Sequence, residues 1–164
     1  MEASWGQVQN VYQRRADLIP NLVATVKGYA DFESEVLQAV TASRAKVGSV
    51  QVSPETLNNP AAFQQFQQAQ AGLSSALSRL MVVVERYPDL KANQNFLALQ
   101  DQLEGTENRI NVERRRFNQA VQGYNTRIMQ FPANLIAGMF HFQQKTYFQA
   151  APGSEQAPTV DFSK

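Results

Sequence analysis

Residues 92–131 read ANQNFLALQDQLEGTENRINVERRRFNQAVQGYNTRIMQF, and their spacing decides the fold class. Ala92, Phe96, Leu99, Leu103, Thr106, Ile110, Glu113, Phe117, Ala120, Tyr124, Ile128 and Phe131 recur at steps that alternate between four and three over most of the run. A period near 3.5, held for about 40 residues, is the seam of a long helix that packs lengthwise against partners. Upstream, Phe63, Phe66, Gln70, Leu73, Leu77, Leu80, Val84 and Tyr87 form a second such stripe. A third runs from Val8 through Val11, Arg15, Leu18, Leu22, Val26, Tyr29, Glu33, Val36 and Val40 to Val47. No stretch of comparable length alternates with period two. The chain is therefore predicted to be all-α: an antiparallel bundle of three long helices in coiled-coil-like contact, with a short C-terminal helix packed at one end.

Breakers set the expected boundaries. Gly48, after Lys46 and Val47, suits the left-handed position past a helix C-terminus, and residues 50–59 read as a loop. Asn59 followed by Pro60 is an N-cap with proline in the first turn. Pro88 and Asp89 allow only a tight turn, so the second and third helices should be antiparallel neighbours. Pro132 ends the third helix, and a short apolar helix is expected at about 133–141. The bundle is thus assigned residues 1–142, and residues 143–164 an extended tail. Pro20 interrupts the first stripe, but the stripe keeps its phase across it, which favours one bent helix of about 45 residues, roughly 65 Å long. The third helix outruns the second by about 22 Å, so the short helix and tail should fold back to cover its apolar end.

Composition closes several classes. Of 164 residues 43% are hydrophobic and 18% charged, a globular balance. Fifteen basic against fourteen acidic residues leave a charge of +1, which argues against a nucleic-acid footprint. There is no cysteine and one histidine, His141, so thiolate metal sites and two-histidine mechanisms are excluded. The longest apolar runs, such as Leu80 to Val84, fall far short of the roughly 20 residues of a spanning helix, and the polar first dozen residues are no signal peptide. Helical periodicity begins almost at once, which suggests a soluble part taken from a longer protein.

Four stretches then resemble the signatures of the LemA family of bacterial proteins: Gln13 to Val23 with its Arg-Ala-Asp-Leu-Ile-Pro-Asn core, Tyr87 to Phe96, Phe131 to Ala137, and Ala157 to Phe162. They occur in the family's order and span nearly the whole chain. The resemblance implies a bundle of long antiparallel helices preceded by a transmembrane helix, which this sequence does not contain. It implies no enzymatic activity. One branch of the family is similar to proteins that build magnetosomes, and no motif here assigns the chain to that branch.

The individual residues are consistent with a non-enzyme without cofactors. Glu104 and Glu107 share a face and could hold a cation, but no histidine follows any glutamate at the i, i+3 spacing of a di-iron bundle. Arg114-Arg115-Arg116 fans around the helix and reads as a solvated, salt-bridged surface, with an anionic-lipid or nucleic-acid patch as the alternative that the net charge disfavours. His141 has no helical acid or glycine-framed serine to work with. Gly28, Gly72, Gly105 and Gly123 are scattered singly, and close helix approach would explain them. Arg15, Glu33 and Glu113 fall on apolar stripes and are expected to pair between helices, or lie at seam edges, and fix register. Leu135, Ile136, Met139, Phe140 and Phe142 either cap the bundle end or form a hydrophobic surface for a partner or a lipid interface, and Phe162 in the tail either docks in cis or offers a short peptide to another protein. The leading expectation is a membrane-tethered scaffold or adaptor on one side of a bacterial membrane, engaging an unidentified protein. With the first and third helices parallel, its binding end would stand far from the bilayer. The alternative is a self-assembling or membrane-remodelling protein, and the oligomeric state stays open.

Overall fold

The computed structural model describes residues 1–29, 33–50 and 52–149. Six helices follow in order: α1 (Glu2–Lys27), α2 (Ser34–Ser49), α3 (Pro60–Val84), a single turn α4 (Pro88–Lys91), α5 (Gln94–Met129) and α6 (Ala133–Met139). A 3-10 turn, Pro54–Asn58, precedes α3. The described residues contain no strand.

The all-α expectation holds, but the three-helix arrangement does not, because the first predicted helix is two. α1 continues through Pro20 and stops at Lys27, and α2 begins at Ser34 and doubles back. Arg44 of α2 reaches the main chain of Ala16, which makes α1 and α2 an antiparallel pair. The relation of α1 to the other helices follows from three levels along the bundle. Trp5 lies against Phe63 and Phe117, with ring centroids 5.7 and 5.5 Å away. Arg15 lies against Gln70, Ser74 and Glu107. Tyr29 meets Asp89 and Asn93. As numbers rise along α1 they rise along α3 and fall along α5, so the bundle runs up, down, up, down in four helices. α1 is closest to α5 and α2 to α3.

Local chemistry explains most boundaries. The Asn59 carboxamide accepts from the amides of Ala61 and Ala62 with Pro60 in the first turn, and Asn93 accepts from Phe96 to open α5. The Phe131-Pro132 pair prevents α5 from continuing. Gly48 is not a left-handed cap: it sits within α2, which ends at Ser49 with an extended Val50. Nor does close helix approach explain the interior glycines, since a Cβ built on Gly72, Gly105 or Gly123 would meet nothing within 4 Å.

The core has two apolar clusters. One lies toward the α1–α2 and α3–α5 turns and includes Ile19, Leu22, Val26, Val36, Val40, Leu73, Leu80, Leu90 and Phe96. The other lies toward the chain start and is aromatic, built on Trp5, Tyr12, Phe63, Phe66, Phe117 and Phe148. Between the two sits buried Arg15.

Candidate functional site

Arg15 is 1% exposed, which isolates a permanent charge from water unless its donors are satisfied. Its Nη1 donates to Ser74 Oγ (2.6 Å) and Glu107 Oε1 (2.9 Å), and its Nη2 donates to the carbonyl (3.0 Å) and Oε1 (2.7 Å) of Gln70. Its guanidinium carbon also stands 5.1 Å from the centroid of the Tyr12 ring. One charged side chain therefore ties α1 to both α3 and α5 at a fixed level. Burial raises Tyr12 above the ordinary phenol value, against the opposing pull of Arg114 and Arg15. The other two charges on the stripes differ. Glu33 pairs on the surface with Arg86 at 3.6 Å. Glu113 stays at the edge of the seam, and its ion pair runs along α5 to Arg116 at 3.1 Å.

At the opposite extreme of exposure is the end of the bundle. α5 is the longest helix because its final turns pass beyond the start of α1. Trp5 is level with Phe117, so Met1 is level with about residue 121 and α5 projects roughly 12 Å further. Over that stretch the buried face no longer follows Ala120 and Tyr124 but shifts to Val121 and Asn125. The cause is a change of partner, because an extended segment, residues 143–149, runs back along α5 there. Asn125 Nδ2 donates to the carbonyl of Lys145 (3.1 Å) and its Oδ1 accepts from the Lys145 amide (2.8 Å). Asn118 does the same to Phe148, at 3.1 and 2.8 Å. Seven residues of helix rise about 10.5 Å and three extended residues span about 10 Å, so the two carboxamides match the two peptide groups. The clamp places Phe148 among Trp5, Phe63 and Phe117, its ring 4.9 Å from Phe63 and 5.2 Å from Phe117. Arg114 stacks on it from outside and donates to Gln149 at 2.7 Å.

Beyond the clamp, large apolar side chains are concentrated on the surface. α6 buries only Ala137, so it does not cap the core. Leu135, Ile136, Met139 and Phe140 are 59, 56, 76 and 67% exposed, and Phe142 is 55%. Met129 and Phe131 join them, at 64 and 79%. Phe131 is thus not the last seam residue that its spacing suggested. The reversal after α6 is a Schellman motif, in which the Phe142 amide donates to Ala137 and the His141 amide to Gly138, with His141 at φ 56°. His141 is therefore fixed as a turn residue. Phe162 and the tail beyond Gln149 lie outside the described residues.

Sequence reading did not find Asn118, Asn125, Met129 or Phe148 as site-forming residues. The signal available was that Asn118 and Asn125 stand one heptad apart. Among the described residues no three His, Asp or Glu side chains gather as metal ligands, and Glu107 of the Glu104 and Glu107 pair is engaged by Arg15. No helix among the described residues is long and apolar enough to cross a membrane.

Among known proteins, the model of the LemA family matches residues 4–162. The chain is 34% identical over 87 residues to magnetosome protein MamQ 2 of Paramagnetospirillum magneticum, which covers 53% of this chain and 32% of that protein. It is 26% identical over 147 residues to protein LemA of Metamycoplasma hominis, covering 88% and 62% of the two chains. It is 25% identical over 170 residues to magnetosome protein MamQ of Magnetospirillum gryphiswaldense, covering 94% and 62%. The chain thus spans between about a third and two thirds of these relatives.

Proposed function

The chain belongs to the LemA family, and from that premise we propose that it is a non-enzymatic helical scaffold held at a bacterial membrane, with the exposed apolar end as its working surface. The observation that carries this reading is the concentration of exposed Leu, Ile, Met and Phe side chains at one end of a bundle whose remaining large apolar side chains are mostly buried. A monomeric soluble surface rarely keeps such a patch unless something covers it.

The four-helix topology changes where that surface works. Because α1 runs antiparallel to α5, residue 1 and the apolar end lie at the same end of the bundle. A membrane anchor ahead of residue 1, as the family resemblance implies, would hold the apolar end close to the bilayer, not far from it. The partner is then itself at the membrane, as a lipid surface or a membrane-associated protein.

The test is photo-crosslinking in cells from position 140 of the full-length protein, with exposed position 75 on α3 as control. Adducts to lipid or to a discrete protein from position 140 alone are expected. Equal labelling from both positions, or adducts only within the chain, would remove the working surface.

A further inference from the structure

We infer that the apolar end of the bundle inserts into the interfacial layer of an anionic lipid bilayer, which rests on the membrane-scaffold reading above and names the surface that this end engages. The first argument is shape. Leu135, Ile136 and Met139 of α6, with Phe140 at its C-cap, fall on one continuous arc of about 140°, and the docked Ala137 faces away from it. This is a protruding apolar helix at the tip of a rod, not a groove that would receive a helix or a strand from another protein.

The second argument is the order of chemistry along the axis. The outermost level carries the exposed apolar side chains of Met129, Phe131 and α6, with Gln130 and Asn134 as its uncharged polar groups. Behind it come Arg127 in the last turn of α5, Tyr124, and Lys145, whose ammonium stands 5.7 Å from the Tyr124 ring centroid and contacts Asn58. A groove of about 430 Å³ at this level brings Lys145 together with His141, Gln143 and Gln144, donors suited to phosphate oxygens. Apolar side chains first, then tyrosine and basic groups, is the sequence of layers met on leaving acyl chains for head groups.

The third argument is the sign of the charge. The sequence holds no Asp or Glu from Arg114 to Ser154. Glu2 and Glu55 belong to elements that reach only about the level of Asn125. Two copies meeting end to end would bring Arg127 and Lys145 together across a two-fold axis without an acid among the described residues at that level, whereas an anionic surface complements them.

The chain has no cysteine, so single labels are clean. Met139→Cys carrying an environment-sensitive fluorophore is mixed with vesicles of phosphatidylcholine and phosphatidylglycerol in roughly equal parts, with Ser75→Cys as control. A blue shift from position 139 alone is expected, with apparent affinity about tenfold weaker on pure phosphatidylcholine or at about 1 M salt. Ile136→Asp with Phe140→Asp should abolish vesicle flotation while helical circular dichroism stays unchanged. No shift at position 139 on anionic vesicles overturns the inference. If position 140 then crosslinks a discrete protein in cells, the scaffold reading survives without the lipid one. If sedimentation instead shows dimers that Phe140→Asp dissociates, the occupant is a second copy and the lipid inference is wrong.

Discussion

Arg44 supplies the donor that Pro20 lacks. In a regular helix the amide of residue 20 would bond the carbonyl of Ala16, and proline has no amide hydrogen. Arg44 Nε donates to that carbonyl instead, at 3.0 Å, across the α1–α2 interface. The proline that interrupts the hydrogen-bond ladder of α1 thus creates the acceptor that holds α2 against it.

Arg44→Ala is therefore expected to cost about 1–2 kcal/mol, the penalty for leaving a largely buried acceptor unmade. In a Pro20→Ala background the cost should shrink, because an alanine there restores the helical bond. Urea unfolding of the four proteins gives the coupling. Equal costs in both backgrounds would disconnect the two residues.

Arg15 gives a second prediction. Arg15→Ala removes a buried side chain and four hydrogen bonds, and should destabilise by about 2–4 kcal/mol. Arg15→Met fills similar volume without the charge and should cost less than half as much. Glu107 is 42% exposed, so Glu107→Gln should cost no more than about 1 kcal/mol. Chemical denaturation midpoints rank the three variants.

These two arginines also mark what the sequence could and could not disclose. The seam from Phe96 to Phe117, the Asn59-Pro60 start and the Pro88 turn were legible, because periodicity and breaker chemistry are local. The reversal between Lys27 and Ser34 was not. Tyr29, Glu33 and Val36 continue the stripe in phase, and a period cannot reveal that the chain has turned around. Gly28 was the available sign, while Pro20 drew attention to the wrong place. The apolar end was legible in Leu135 to Phe142, but its distance from residue 1 depended on that reversal. The Asn118 and Asn125 clamp was hidden because polar residues on a helix ordinarily read as solvated surface.

The clamp makes a local prediction. Asn125→Ala frees the Lys145 amide and Asn118→Ala the Phe148 amide, each removing a reciprocal pair of bonds with a cost of about 1–2 kcal/mol. Hydrogen exchange should accelerate in residues 143–149 while α1 to α4 keep their protection. Uniform acceleration throughout the bundle would mean that the segment is integral to global stability.

Tyr12 sets an alkaline limit. Its proton is held above the ordinary phenol value of 10.0, chiefly by burial. As pH rises past about 10 the unfolded chain releases this proton before the folded one does, so the stability present below that pH is progressively lost. Tyr12→Phe should flatten the alkaline limb of a melting-temperature profile. An unchanged limb would assign the loss to other groups.

The central claim is that the start of the chain and its apolar end share one end of the bundle. It is tested most directly by the distance between spin labels at Glu2→Cys and Arg127→Cys, both exposed sites. The four-helix topology requires about 15–30 Å between labels, from a short axial offset and one helix spacing. A distance above about 50 Å, as a single helix from residue 2 to residue 47 would give, would contradict it.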